Sequence, residues 1–355
     1  MSKIEDDGEF ADDAAPGWDA ISVALDRLYP GVEPKHYGTL IGWRLGGPDP
    51  LDGMSFYARE DHWHLVSFGM SELYAKEGDN PDESGWGFEF TFRVGRAPDE
   101  NEPPMWAANF LQNLARYVYK SGNTFAPGHH MNLNGPISLA REETAIRAIT
   151  FTDDPELPPI DTPNGRMRFL QVVGLTLGEY AAIEGWSAAG VLGVLQPRLP
   201  LFVTDLDRAD LLTDPAIAAA VAEGSRRDGS STSSLYVEEA GWDLAPDGGL
   251  TVRFGASAAA RIANVLRGTL PFGRGLDISS ADSAVIFNPG DDLRIEDAGS
   301  GLVVVTLPPP AVTALAGLLR PVAGTAALPG HPQLRVDIVK SFIRDQDGTI
   351  VEEIG

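Results

Sequence analysis

The segments GWGFEFTFRV at 85–94 and PPMWAANFLQNLARYVYKS at 103–121 are the most informative guide to how this chain folds. In the first segment apolar side chains occupy every second position, which predicts a β-strand with one face in a core: Phe88, Phe90, Phe92 and Val94. In the second, apolar side chains recur at helical spacing after two prolines: Ala107, Phe110, Leu111, Leu114 and Val118. A strand followed by an amphipathic helix predicts a sheet flanked by helices.

The same two periods recur on both sides of these segments. Helices are expected between Pro16 and Pro30, and at Leu177–Glu184, 215–223 (capped by Asp214 and ended by Gly224), Ala258–Leu266 and Ala311–Leu319. Strands are expected at Thr39–Leu45, His62–Phe68, Ala145–Thr152, Phe169–Leu175, Leu250–Phe254, Ala284–Phe287, Leu302–Leu307 and Leu334–Val339. The sequence therefore predicts the α+β class.

The chain of 355 residues is long for one hydrophobic core, so two domains are expected. The segment SRRDGSSTSS at 225–234 has the composition of a linker. We therefore expect an acidic disordered tail at 1–14, a domain at 15–225, a linker at 226–235 and a C-terminal α+β domain at 236–355. Both halves contain similar strand-to-helix segments: 88–94 is similar to 251–255, and 172–177 is similar to 303–307. The sequence leaves open whether they arose by duplication.

The charge balance restricts the classes of partner. Lys and Arg total 27 against 51 for Asp and Glu, a formal net charge of −24. Binding to nucleic acid or to an anionic membrane depends on basic side chains, so neither is expected as a partner. A basic protein or peptide would be attracted to such a surface, although acidity also serves solubility alone.

Features that the sequence lacks indicate the cellular compartment of the protein. The chain has no cysteine, which excludes disulfides and thiolate ligands and fits a reducing cytosol. It has no apolar run long enough to span a membrane and no secretory signal at its N-terminus. We expect a cytoplasmic protein.

Four histidines could take part in metal or hydrolytic chemistry. His62 and His64 flank Trp63, and on a strand their spacing places both imidazoles on one face. His129 and His130 could supply further ligands. We favour the alternative that this face of the strand is polar surface while Trp63 packs inward, because no H-E-x-x-H pattern accompanies the histidines.

Other catalytic patterns are missing from the sequence. It contains no G-x-S-x-G elbow, no phosphate-binding G-x-x-x-x-G-K-[ST] loop and no strand-to-helix G-x-G-x-x-G. We expect no catalytic residue, no metal and no cofactor. A metal-dependent or hydrolytic enzyme that uses the four histidines is the alternative.

The loop LGGPDPLDG at 45–53 combines two glycines, two prolines and two aspartates, which fix a tight turn. We expect Gly46 or Gly47 to adopt a positive φ angle and the loop to serve stability more than binding. A rigid loop can also present groups to a partner without an ordering cost.

Several segments, in this order, resemble the suppressor-of-fused family. They are LGGPDPLDG at 45–53, HWHLVSFGMSELY at 62–74, GWGFEFTFRV at 85–94, the segment 103–130, TDDPELPPIDTPNGRMRFLQVVGLT at 152–176 and LPLFVTD at 199–205. The resemblance continues less closely at VLRGTLPFGRGLDISS, 265–280. It implies two mixed α/β domains with sheets flanked by helices, facing across a cleft in which a peptide is held as an added strand.

The resemblance also implies a non-enzymatic protein-binding role. Asp154 matches an acidic residue that pairs with a histidine of the bound peptide, whereas Phe272 and Gly275 stand where the family has histidine. We therefore expect partner binding by Asp153, Asp154, Phe272 and Arg274. A bacterial member is expected to be an immunity protein that captures a basic toxin domain, with a regulatory scaffold for linear motifs as the alternative.

Overall fold

Strand β4 (Glu83–Gly95) is a central strand of an eight-stranded mixed sheet in the computed structural model, which describes residues 14–43, 46–344 and 348–355. The other elements of the N-terminal part are α1 (Pro16–Leu28), β1 (Lys35–Gly38), β2 (Gly53–Ala58), β3 (His62–Phe68), α2 (Met105–Ser121), β5 (His130–Asn132), β6 (Ile146–Asp153), β7 (Ile160–Thr162) and β8 (Gly165–Thr176). The strand order is β1-β2-β3-β4-β8-β6-β5, and β7 pairs with β8. Strands β4 and β8 are parallel, and the other pairs are antiparallel.

Each face of this sheet is covered by one helix, and the alternation of side chains along β4 explains why. Phe88, Phe90 and Phe92 form a core cluster with Leu111 and Val118 of α2, as the sequence predicts. On the opposite face Ile21 and Leu25 of α1 pack with Val66, Phe68 and Phe169. Because both faces are covered, both alternating sets of β4 side chains are buried.

Helix α3 (Leu177–Gly185) begins with a capping box. The Glu179 N–H donates to Thr176 Oγ1 at 3.2 Å, and the Thr176 N–H donates to Glu179 Oε2 at 3.1 Å. Arg208 donates to both Glu179 oxygens at 2.6 Å, and both side chains are almost fully covered. This ion pair fixes the segment around Arg208 against the start of α3.

The C-terminal part has two sheets and a separate hairpin. Its elements are α4 (Ala188–Leu195), α5 (Pro215–Asp228), β9 (Ser234–Tyr236), β10 (Ala240–Leu244), β11 (Leu250–Gly255), α6 (Ala256–Thr269), β12 (Leu276–Ser279), β13 (Ala284–Pro289), β14 (Arg294–Gly299), β15 (Leu302–Leu307), α7 (Pro309–Leu318), β16 (Gly324–Leu328), β17 (His331–Val339), β18 (Ser341–Arg344) and β19 (Ile350–Ile354). The sheets have the orders β10-β11-β17-β16 and β14-β15-β13-β12-β9, and β18 pairs with β19. Helices α6 and α7 supply Leu266 and Leu315 to a core that includes Phe254 and Phe287.

The chain forms two compact units. The first comprises the residues up to Tyr180 together with Leu195–Asp210, and the second comprises Ala181–Val194 together with the residues from Leu211 onward. This division differs from the boundary expected at residues 225–235. Residues 226–228 of the expected linker are the last residues of α5, and Ser230 and Thr232 are buried, with Ser230 Oγ donating to the Glu184 carbonyl. A Ser-rich composition therefore does not mark a linker here, because tertiary hydrogen bonds hold these hydroxyls.

Two other boundaries differ from the sequence prediction. Residues 39–43 form no strand; β1 lies earlier and Leu40 is fully exposed. Helix α5 is capped by Asp214 as expected but continues through Gly224 to Asp228. A Cβ at Gly224 would meet the Trp186 ring at 2.3 Å, so this glycine provides room for a side chain instead of ending the helix. The expected acidic tail, apart from Ala14, lies outside the described residues.

The suggested duplication does not extend to sheet topology. Strands β4 and β8 are neighbours in one sheet, whereas their proposed counterparts β11 and β15 lie in different sheets. Only the local strand-to-helix units are shared.

Candidate functional site

Asp154 follows the last residue of β6, and its carboxylate is fully covered. It accepts hydrogen bonds from three side chains: Arg93 Nη2 at 2.8 Å, Thr91 Oγ1 at 2.8 Å and His64 Nε2 at 3.1 Å. The backbone N–H groups of residues 156 and 157 donate to it at 2.9 and 3.1 Å. Together with Tyr29, these three side chains and Asp154 form what we call the Asp154 network.

Arg93 supplies the positive charge of the Asp154 network and is itself fully buried. Besides contacting Asp154, its Nη1 lies 3.0 Å from Glu156 Oε2 and 3.3 Å from His62 Nε2, and its Nε donates to Gln171 Oε1 at 3.2 Å. A buried guanidinium is tolerated only when its donors are occupied, and here every nitrogen has a partner. Glu156, three-quarters buried, also accepts from Arg59 Nη2 at 3.3 Å and forms the outer rim.

His64 links Tyr29 to Asp154. The Tyr29 hydroxyl lies 2.6 Å from Nδ1 of the His64 ring, whose Nε2 faces Asp154. Because an ionised carboxylate only accepts, Nε2–H donates to Asp154 and Nδ1 accepts from Tyr29, an assignment that follows from the hydrogen-bond network. Burial lowers the pKa of His64 to about 4, and the nearby Arg93 charge acts in the same direction. The ring is therefore neutral at pH 7.

The pKa of Asp154 is lowered, which keeps the carboxylate ionised. Burial alone would raise it, but the hydrogen bond from His64 and the charge of Arg93 outweigh burial, and the pKa lies well below its usual range. Since His64 is neutral at pH 7, Arg93 is the charge that balances Asp154. Burial also lowers the pKa of His62, whose Nδ1 donates to Asp61 Oδ1 at 2.6 Å. Both histidines therefore serve as neutral hydrogen-bonding groups.

The expectation that His62 and His64 lie on a polar, exposed face is wrong. They do share one face of β3, but α1 and the Asp154 network cover it. His130 lies on β5, which β4, β8 and β6 separate from β3, so four strand spacings of roughly 4.8 Å place it about 19 Å away. Among the residues that the structure describes, no group of three or more His, Cys, Asp or Glu side chains could hold a metal ion. The four histidines do not converge on one site.

Asp153 differs from Asp154 in its exposure and in its partner. Its side chain is about half exposed and pairs with the equally exposed Arg168 at 3.1 Å. Successive residues of a strand point to opposite faces, so Asp154 turns toward His64 and Arg93, whereas Asp153 points to the other face. Asp153 is the last residue of β6, and its side chain remains about half exposed there. Asp153 can therefore meet a partner without rearrangement, whereas Asp154 would first have to release its present donors.

Phe272 and Arg274 lie together in the second unit, at a 3₁₀ turn that follows α6. Phe272 is 38% exposed, and the Arg274 guanidinium lies 5.9 Å from the centre of its ring. Arg274 also donates to the Ser230 carbonyl at 2.6 Å, which holds it beside the ring. Gly273 between them has a φ of +75°, a conformation that glycine adopts without strain. We call this pair the Phe272 surface.

Thr91 and Arg93 of the Asp154 network are hard to recognise from the sequence. Thr91 and Arg93 alternate with the phenylalanines of β4, so their pattern is typical of a solvated face. One signal was present: an arginine inside an otherwise aromatic strand, next to a histidine-bearing strand. Whether Asp153, Asp154, Phe272 and Arg274 bind a partner stays a prediction.

The sequence matches known proteins over much of its length. A family model described as Suppressor of fused protein (SUFU) matches residues 47–209. The human and mouse proteins named Suppressor of fused homolog are each 37% identical to the chain over 250 residues, which is 64% of this chain and 50% of theirs. The chain thus spans about half the length of these curated relatives.

Solved structures agree with this match. The crystal structure of Drosophila Suppressor of Fused superposes with a TM-score of 0.77 at 20% identity, over 91% of this chain and 97% of that one, which shows the fold. A chain of the Sufu-Fu complex crystal structure matches with a TM-score of 0.53 at 30% identity, over 59% of this chain and 98% of that one. No helix within the described residues is long and apolar enough to cross a membrane. The chain belongs to the suppressor-of-fused family.

Proposed function

We propose that this protein is a non-enzymatic binding module that captures another polypeptide. The observation that carries the proposal is the similarity of this protein to a chain of the Sufu-Fu complex, a structure in which a family member is held with a protein partner. Capture of a polypeptide needs exposed anchors on a fixed scaffold, and it needs no converging catalytic groups.

We assign the contacts to Asp153 and to the Phe272 surface. Aromatic residues and arginine are both enriched at the centres of protein interfaces. Arg274 retains N–H donors that can meet the carbonyl groups of an extended peptide. Asp154, fully covered by its own donors, is proposed to position the end of β6 and thereby the exposed Asp153.

The partner is proposed to be basic. The net charge of −24 favours association with a positively charged segment and disfavours nucleic acid. A toxin domain captured by an immunity protein in the bacterial cytoplasm is one role of this kind, and regulation through a linear motif is the other. The absence of cysteine fits the cytoplasm.

A display selection tests this proposal. The immobilised full chain would be panned against a random twelve-residue peptide library, and selected peptides would be titrated calorimetrically. We expect enrichment of Lys and Arg together with apolar residues. Arg274→Ala should weaken binding at least fivefold, the loss typical of an interface anchor. Arg294→Ala, on the edge strand β14, is the matched control and should bind like the wild type.

Selected peptides without positive charge would contradict a basic partner. Equal affinities of the Arg274→Ala and Arg294→Ala variants would remove the Phe272 surface from the site. Failure to select any peptide that binds the chain in solution would count against the binding function itself.

A further inference from the structure

One part of this acidic chain carries no acidic residue. None of the 51 Asp and Glu residues lies between residues 298 and 336, and this run contains Arg320 and Arg335. It covers β15, α7, β16 and most of β17. The run therefore has a positive charge, opposite in sign to that of the whole protein. The acidic side chain that contacts β16 is Asp337, which accepts from Thr325 Oγ1 at 2.7 Å and is paired with Arg253.

Strand β16 is an edge strand within this run. It pairs with β17, and no other described strand pairs with it. One row of its backbone N–H and C=O groups therefore faces outward, and such an edge can accept a further strand. Neither a proline nor a charged side chain of β16 (GTAAL) blocks the edge, although natural edges are usually protected in this way.

A groove runs beside this edge, between β16 and the end of α7. Its volume is about 220 Å³, and its floor is apolar, with Leu318, Ala326, Val336 and Ile338. Gly324 leaves it open, since a Cβ at that position would meet no atom within 4 Å. The groove is smaller than the pockets that hold cofactors and drug-sized ligands, so it suits one or two side chains.

Arg320 stands at the rim of the groove with donors to spare. Its Nε donates to the Gly317 carbonyl at 2.9 Å, which orients the guanidinium. Its two terminal nitrogens make no hydrogen bond or ion pair with any residue that the structure describes. Val322, also at the rim, is 66% exposed. This arrangement offers a cation with free donors, an apolar groove and an open strand edge. It fits a ligand that has an acidic group, an apolar side chain and an extended backbone.

We propose that β16 and its groove bind an extended acidic peptide. The peptide adds to β16 as a strand through backbone hydrogen bonds. An apolar side chain enters the groove, and an aspartate or glutamate side chain two positions away, on the same face of the added strand, pairs with Arg320. This site is separate from the Phe272 surface and selects a segment of opposite charge.

The test uses the full, ¹⁵N-labelled chain and three blocked synthetic peptides of sequence TVTLTDT, TVTLTKT and TVTSTDT. We expect TVTLTDT to produce saturable shifts in the amide resonances of residues 324–328. The lysine peptide and the peptide without leucine should bind more weakly. Arg320→Ala should weaken TVTLTDT roughly two- to fivefold, the range for a partly exposed ion pair.

Arg335→Ala is the matched control. It removes the same charge from the same acid-free run, but Arg335 alternates with Val336 and therefore lies on the other face of β17. Its affinity for TVTLTDT should equal that of the wild type. The proposal is overturned if the amides of β16 do not shift, if TVTLTKT binds as well as TVTLTDT, or if the two arginine variants lose affinity equally.

Discussion

The Asp154 network and the Phe272 surface were expected to do the same job, yet their surroundings differ. The network is a buried ion pair with its hydrogen-bonding groups occupied, and the surface is an exposed ring beside an arginine. Buried charge that has its own partners determines whether the protein folds, and exposed aromatic area determines what the protein can bind. Burial therefore separates the predicted binding residues into two groups.

Neutralising Asp154 should have the largest effect on stability. Asp154→Asn leaves the buried Arg93 with only the rim carboxylate of Glu156 as a charge partner and places an amide N–H against existing donors, so the free energy of unfolding should fall by about 3–5 kcal/mol. Asp153→Asn is the matched control, because it removes the adjacent, half-exposed charge. We expect it to cost less than about 1 kcal/mol. Urea denaturation of both variants measures the difference, and equal losses would break the distinction between the two acids.

Gly47→Ala should be the next most damaging substitution. Gly46 has a φ of +83°, as expected for this loop, whereas Gly47 is restricted by space. A Cβ there would meet the Ile41 carbonyl oxygen at 1.8 Å, which is backbone and cannot move aside. We expect a loss of about 2–3 kcal/mol from overpacking.

Gly193→Ala in α4 is the control, since its Cβ would meet nothing within 4 Å. It should be neutral or slightly stabilising. If Gly47→Ala kept full stability but lost peptide binding, the loop would belong with the Phe272 surface and not with the scaffold.

The Asp154 network should also make stability depend on pH. The pKa of an unperturbed histidine is 6.5, and that of His64 in the folded protein is about 4. Between these values the unfolded chain binds a proton that the folded chain does not, so the free energy of unfolding falls as the pH falls. From pH 7 to pH 5 His64 alone should account for about 2 kcal/mol.

Urea denaturation of the wild type and of His64→Gln at both pH values isolates this contribution. Glu89, whose pKa burial raises, is present in both proteins and cancels in the difference. The exposed His129→Gln is the control and should keep the wild-type slope. An equal slope in the wild type and in His64→Gln would mean that His64 is not held neutral.

Much of the fold could be predicted, because long elements carry their own period. The boundaries of α1, β3 and β15 agree with the sequence prediction to within a residue or so, and α2 begins directly after Pro104. Short strands such as β5 and β9 have only three residues and show no period, so they could not be found.

The site was harder to predict than the fold. The resemblance drew attention to Asp154 and Phe272, but neither spacing nor composition says which of them is buried. The burial of Asp154 depends on α1, which is distant in sequence and covers the second face of the sheet. The interpretation of His62 and His64 as exposed groups was wrong for the same reason.

If stability and binding depend on different residues, a single titration should separate them. A peptide selected on the wild type would be titrated into Phe272→Ala and, as control, into Phe342→Ala. The two phenylalanines are matched in exposure, with exposed fractions of 38% and 39%. We expect at least fivefold weaker binding for Phe272→Ala and wild-type affinity for Phe342→Ala, with the urea midpoint lowered by a similar amount in both variants because the two rings are covered to the same extent. Equal affinity of the two variants for the peptide would contradict this expectation.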